Sequence, residues 1–210
     1  MSLKELIFLI KNIVFDLGNV IIRWNPRYIV AQHTKDEVMQ NKLIANLFGS
    51  SHWQGFDDGS LTREQVIHNV KQTLSAEYHS IIHDLVYHWY KHAPPIIGME
   101  ELVRGLKERG YQIFLLSNTN IHFDEYKDTI GALQYFDGFY ISAKTRLMKP
   151  NPEIYHDFLQ TFSLVAQECI FIDDIRENIV GAIEVGMGGY HFDGNVEKLK
   201  EHLKDLQIIE

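Results

Sequence analysis

The sequence predicts an α/β fold: a Rossmann-like, doubly wound parallel sheet interrupted by a small all-helical insertion. Three observations predict it. Short, continuous apolar runs recur along the chain, and each ends on polar residues. Helix-period segments separate these runs from Ile97 to Glu210. A long stretch after the first run carries helical patterns and no strand-like run.

The runs are Ile13-Val14-Phe15 into Asp16, Ile113 to Leu116 into Ser117-Asn118, Gly138 to Ile141 into Ser142, and Ile170 to Ile172 into Asp173-Asp174. A weaker fifth spans Gly189 to Phe192. Runs apolar on both faces suit strands buried on both sides, as in a parallel sheet. Between them, Met99 to Arg109 repeats Leu102, Val103 and Leu106 at helical spacing and stops at Gly110, a C-cap signal. Pro152 opens a helix to about Phe162, because proline suits a first helical turn. Ile175 to Val185 ends at Gly186, and Val196 to Leu206 is an amphipathic tail. Alternating strands and helices imply a doubly wound sheet.

Residues 26–93 differ. Helical patterns cover Glu37 to Phe48, Thr62 to Leu74 and Glu77 to Tyr90. Thr62 and Gln65 match a capping box. "SSHWQGFDDGS" reads as a loop. Seven of the eleven histidines fall in this segment, yet none has metal-ligand context; His79 and His83 read as a helix face. The expected organisation is a core of residues 1–25 and 94–210 with the insertion at 26–93.

With 210 residues, 45% of them hydrophobic, the chain can bury a substantial core. Its net charge of −8 and lack of a basic run argue against nucleic acid. A phosphorylated ligand then needs local cations or a metal. The single cysteine, Cys169, excludes an internal disulfide, fits a reducing compartment and reads as core. Leu6 to Ile10 is too short for a membrane span, and no small-residue cleavage site follows. A cytoplasmic protein without a membrane partner is the expectation. Oligomeric state has no sequence signal.

Ligands of open parallel sheets bind beyond the carboxyl ends of the strands. Asp16, Ser117, Asn118, Asp173 and Asp174 all occupy that edge, and Lys149 follows the third run. Three carboxylates cannot share a mouth in ionised form without a cation. A hard divalent ion is the natural one, and Mg²⁺ suits a site that also takes phosphate. Such an ion clamps a phosphoryl oxygen while Asp16 attacks phosphorus. Lys149 cancels further charge, and Ser117 holds phosphate oxygens. Each residue alone has a plainer role as a cap, turn or solvated loop charge. Their ordered conjunction at successive strand ends is what points to chemistry.

"FDLGNVI", "LLSNTN", "MKPNPEIY" and "FIDDIRENIVGA" together resemble the four motifs of the haloacid dehalogenase-like hydrolases. The resemblance spans nearly the whole chain. It implies Asp16 as nucleophile, Ser117 as the phosphate-binding hydroxyl and Lys149 as the charge-neutralising lysine. It implies metal ligation by Asp16, by the Gly18 carbonyl and by Asp174, with Asp173 direct or through water. It also implies that 26–93 is a cap closing over the site. The expected activity is Mg²⁺-dependent hydrolysis of a small phosphorylated metabolite through an aspartyl-phosphate. "DLGNV" is similar to a bacterial subgroup that includes sugar-1-phosphate phosphatases, which favours a sugar phosphate. Asn118 and Asn19 are candidate substrate-binding amides, and Trp53 is a candidate wall for a ring.

Gly18 departs from the family pattern. Family phosphatases usually carry a second Asp there, which protonates the leaving oxygen and later activates water; the DLGNV subgroup implies activity despite the glycine. Such help is worth roughly a hundred- to ten-thousandfold. His52, Asp57 and Asp58 are candidates to replace it. Two alternatives follow: a metal-free 2-haloacid dehalogenase, or a catalytically impaired phosphate-binding protein.

Overall fold

The computed structural model describes residues 10–210. Most of the Leu6 to Ile10 stretch lies outside them. Five strands form one sheet: β1 (Asn12–Phe15), β2 (Gln112–Ser117), β3 (Gly138–Ile141), β4 (Cys169–Asp173) and β5 (Gly188–His191). Their order is β3-β2-β1-β4-β5, and every pairing is parallel. The expected α/β class is thus the observed one. Phe15 pairs with Leu115 on one side and Ile172 on the other. The residue after β1 therefore emerges between the tips of β2 and β4.

Alternation along the strands builds two cores. Val14, Phe114, Leu116 and Phe171 face one layer, against Ile154, Tyr155 and Phe158 of a helix at Pro152–Thr161. Ile13, Phe15, Ile113, Leu115 and Ile172 face the other, against Leu102, Val103 and Leu106 of a helix at Met99–Glu108. Cys169 is buried in the first layer, and burial pushes its thiol up to about 11. Helices at Arg176–Glu184 and Val196–Asp205 complete the flanks. Among the described residues, no helix is long and apolar enough to cross a membrane.

Between β1 and β2 the chain is helical. We label its helices α1 (Pro26–Ala31), α2 (Glu37–Leu43), α3 (Ser51–Asp57), α4 (Arg63–Thr73) and α5 (His79–His88). The Thr62–Gln65 capping box forms with both of its bonds. The helix expected over Glu37 to Phe48 changes to a π-turn at Ile44–Phe48. Single 3₁₀ turns flank α5. His83 stacks on Tyr87, and His79 meets the Leu74 carbonyl.

One expectation fails here. "SSHWQGFDDGS" is largely helix α3, not loop. Ser50 caps it by accepting from His52 N at 3.2 Å. Gly55 within it is a packing requirement: a Cβ there would lie 2.9 Å from the Leu61 side chain.

Contacts with the helical turns that follow β2 and β3 tie this segment to the core. The buried Arg63 guanidinium donates to Glu125 at 2.8 Å and lies over the Tyr87 ring. After α3, Gly59 adopts φ +75°, and a Cβ there would collide with the Ala143 carbonyl. Both effects oppose any side chain at Gly59, since positive φ alone costs about 1–3 kcal/mol for most residues. Gly59→Ala should therefore lower the urea midpoint by an amount equivalent to about 2 kcal/mol or more. An unchanged midpoint would show that the turn does not dock rigidly.

Candidate active site

The tips of β1, β2 and β4 and the loop after β3 line one cavity of about 210 Å³. Asp16, Gly18, Asn19, Ser117, Asn118, Lys149 and Asp174 border its sheet side. Trp53 borders it from α3. Asp173 lies just beneath, fully buried. The catalytic, metal-ligating and substrate-binding candidates therefore converge on one place, whereas His52 and Asp58 do not line it.

Its centre is the Lys149 ammonium, with a side chain only 1% exposed. It donates to Asp16 Oδ1 at 2.7 Å and to Asp173 Oδ2 at 2.6 Å. Burial pulls the ammonium's pKa down, but the two carboxylates outweigh it and hold Lys149 above its ordinary value. Asp173 is saturated. Its Oδ1 accepts from Ile175 N at 2.7 Å, and Asn178 donates to both its oxygens at 3.0 and 2.9 Å. Bracing the turn that leads into the helix at Arg176–Glu184 and pairing the lysine are thus roles of one side chain.

Asp16 and Asp174 keep unsatisfied demand. Burial, with the nearby Asp173 charge, pushes Asp16 up to about 6, although Lys149 opposes this. Burial likewise raises Asp174, with Asp173 adding to it. One oxygen from each of Asp16, Asp173 and Asp174 lies within 4.8 Å of the others. Hard oxygen donors, crowded and short of positive charge, match what Mg²⁺ selects.

The two asparagines are committed to the protein. Asn118 accepts from Lys149 N and donates to Lys149 O, both at 3.0 Å, so it sets the lysine's loop. Asn19, at φ +54°, donates to Asp174 Oδ2 at 3.0 Å and accepts from Trp24 N at 2.9 Å. In this arrangement both amides position other residues. Ser117 is buried at the mouth. A Cβ on Gly18 would meet Trp24 Cβ at 3.6 Å and Asp16 Oδ2 at 3.7 Å, which is ordinary contact.

Sequence reasoning missed several residues. Asn178 sits inside the quoted fourth motif, five residues past Asp173 in the first turn of the following helix, and that place was its signal. Trp24, Phe48 and Trp89 form an aromatic wall with Trp53. Trp24 and Trp53 stack at 5.6 Å, and Trp89 meets Trp24 edge-on at 5.0 Å. No local pattern announces that these distant aromatics meet. Asp57 joins them on the cavity lining.

The sequence profile of haloacid dehalogenase-like hydrolases matches residues 10–186. The chain belongs to this hydrolase family. A sesquiterpene phosphatase of Aspergillus oryzae is 28% identical over 192 residues, covering 91% of this chain and 94% of that protein. The D-ribitol-5-phosphate phosphatase of Bacteroides thetaiotaomicron is 24% identical over 187 residues, covering 85% and 89%. A solved family enzyme from the same bacterium, in complex with magnesium and inorganic phosphate, superposes with a TM-score of 0.65 at 21% identity, covering 89% and 96% of the two chains. That likeness is one of fold.

The site predicts a pH-dependent stability. Asp16 binds its proton more tightly folded than unfolded. Its contribution is therefore most favourable below the unfolded value of 3.8 and declines as pH rises to about 6. Lys149→Met removes the only cation that bonds Asp16 and Asp173 among the described residues, which costs about 3–5 kcal/mol for a broken buried pair. In urea melts the variant should be clearly more stable at about pH 5 than at about pH 7.5. A variant as stable as the parent at both pH values would refute this electrostatic account.

Proposed function

We propose that the chain is a Mg²⁺-dependent phosphatase that cleaves a small phosphate monoester through an aspartyl-phosphate on Asp16. The observation that carries this reading is the convergence of Asp16, Asp173 and Asp174 within 4.8 Å around Lys149. A metal-free dehalogenase has no need of that cluster.

Asp16, Asp174 and the Gly18 carbonyl would hold the ion, with Asp173 turned toward Lys149 and Asn178. When bound, the ion supplies charge neutralisation at a phosphoryl oxygen and at the carboxylates. The chain's own groups do the rest. Lys149 fixes Asp16 by Oδ1, and Oδ2 is the attacking oxygen. The Ser117 hydroxyl and the lysine stabilise the phosphoryl oxygens. Residues 26–93 act as the cap that excludes water.

The cavity also bears on the substrate. Ile22, Trp24, Phe48, Trp53 and Trp89 face the space beyond the phosphate end. A sugar would leave hydroxyls unpaired there, at about 1–3 kcal/mol each. An apolar alcohol would gain ~0.8 kcal/mol per buried methylene. The aromatic wall thus favours an apolar leaving group over the sugar phosphate expected from the first motif. The sesquiterpene phosphatase, the more similar of the two named relatives, points the same way.

Asp16→Asn should reduce Mg²⁺-dependent release of phosphate from p-nitrophenyl phosphate by ~10⁴-fold or more, and EDTA should abolish wild-type turnover. Chloride release from a 2-haloacid in EDTA would instead establish the dehalogenase. With specificity measured as kcat/KM, a sesquiterpenyl phosphate should exceed a pentitol phosphate at least about tenfold, or ~1.4 kcal/mol, less than two methylenes supply. The reverse order would restore the sugar-phosphate reading.

The metal requirement has a second readout. Mg²⁺ competes with protons for Asp16, whose pKa is raised to about 6. Its addition should raise Tm at about pH 7.5 and much less at about pH 5. A Tm indifferent to Mg²⁺ at both would argue against a magnesium site.

A further inference from the structure

A glycine at position 18 leaves the sheet side of the cavity without a group to handle protons. The groups already described there are committed. Lys149 is paired twice, Asp173 is saturated, and Asn19 and Asn118 are amides bonded to neighbours. The search therefore moves to the helical segment, where the sequence offered His52, Asp57 and Asp58.

Geometry separates the three. His52 does not line the cavity. Asp58 points into its own turn, accepting from Ser60 N at 2.7 Å. Asp57 lines the cavity together with Asp16, Ser117, Lys149 and Asp174. It is the last residue of α3, and its place is set from the core. Ser142, fully buried after β3, donates its hydroxyl to the Asp57 carbonyl at 2.6 Å. The same hydroxyl oxygen accepts from Thr119 N at 2.9 Å, two residues past Ser117. The Gly59 contact with Ala143 clamps the turn that follows. A short chain of bonds thus joins the phosphate-binding strand tip to the backbone of Asp57.

We propose that Asp57 is the acid-base residue of this site, delivered from the helical segment in place of the missing side chain at position 18. The inference rests on the phosphatase reading above. In the first half-reaction Asp16 Oδ2 bonds to phosphorus as the bond to the leaving oxygen breaks. Protonated Asp57 gives that oxygen its proton, and the alcohol departs. In the second, the Asp57 carboxylate takes a proton from water as the water oxygen bonds to phosphorus. The bond to Asp16 breaks, phosphate leaves, and Asp57 is again protonated.

The surroundings suit a carboxyl that keeps its proton at rest. Burial raises Asp57 well above its ordinary value, with the Asp58 and Asp16 charges adding to it; the Trp53 side chain offsets part of this. The Tyr126 phenol, also near enough to feel Asp57, is held by Thr119 and carries no charge.

The test compares p-nitrophenyl phosphate, whose leaving group needs no proton, with benzyl phosphate, whose leaving group does. Rapid mixing of Asp57→Asn with p-nitrophenyl phosphate and Mg²⁺ should give a burst of one equivalent of nitrophenolate. Steady-state turnover should then be at least ~10²-fold below wild type, with the phosphoenzyme visible by intact mass. Benzyl phosphate should lose ~10²–10⁴-fold with no burst. A variant with no burst and the parent's ratio of the two rates would overturn the assignment. Wild-type kcat/KM across a leaving-group series needs no variant. A shallow dependence on leaving-group pKa supports an internal acid, and a steep one overturns it. Wild type inert toward p-nitrophenyl phosphate would sink the phosphatase reading, and this inference with it.

Discussion

One buried ammonium organises the site. Lys149 lies between Asp16 and Asp173, at 2.7 and 2.6 Å, with its side chain 1% exposed. Removing such charges from water costs several kcal/mol per ion, and close pairing offsets that only when the geometry is held. Much of the surrounding polar structure serves to hold it. Asn118 clamps the lysine's backbone from both sides, while Asn178 and Ile175 N fill the remaining acceptors of Asp173. The triad is therefore a fixed platform. The carboxylates left in deficit are Asp16 and Asp174, and these border the cavity.

Sheet topology explains why the triad can form. With β1 central in the order β3-β2-β1-β4-β5, its tip is flanked by the tips of β2 and β4. Asp16 gains Ser117 on one side and Asp173 on the other without any long side chain reaching across. Parallel pairing places all three at the same edge, where open sheets bind ligands. Continuous burial on both faces, by Val14 on one and Ile13 and Phe15 on the other, makes that edge rigid.

This much was legible in the residues themselves. Buried parallel strands need unbroken apolar runs, and such runs stand out even at four or five residues. The polar residue ending each run then marks the ligand edge. The helical segment was less legible for a physical reason. Pro26–Ala31 and Ser51–Asp57 are too short to show a helical period, and Gly55 within the second reads as a turn. Their order comes from tertiary contacts, as with Gly55 against Leu61. The roles of Asn19 and Asn118 were likewise hidden. Only the fold shows that their amides are spent on Asp174, Trp24 and Lys149. An aromatic wall assembled from Trp24, Phe48, Trp53 and Trp89 has no local signature at all.

Gly18 and that wall are best understood together. A Cβ at position 18 would sit in ordinary contact with Trp24 and Asp16, so crowding of the backbone does not demand glycine. The glycine's backbone is not in the left-handed region either. What glycine provides is the space beyond a Cβ. A carboxylate there would project between Asp16 and Trp24, adding a fourth negative group to a cluster already short of positive charge. It would also place a polar group beside Trp24, whose indole lines the cavity. With glycine, the apolar wall extends down to Asp16 at the sheet edge. The proposed acid-base role falls instead to Asp57, which lines the same cavity and is docked through Ser142. On the proposed assignment, the acid's place is set by the packing of α3 on the core, because Asp57 is that helix's last residue and its carbonyl is bonded to Ser142.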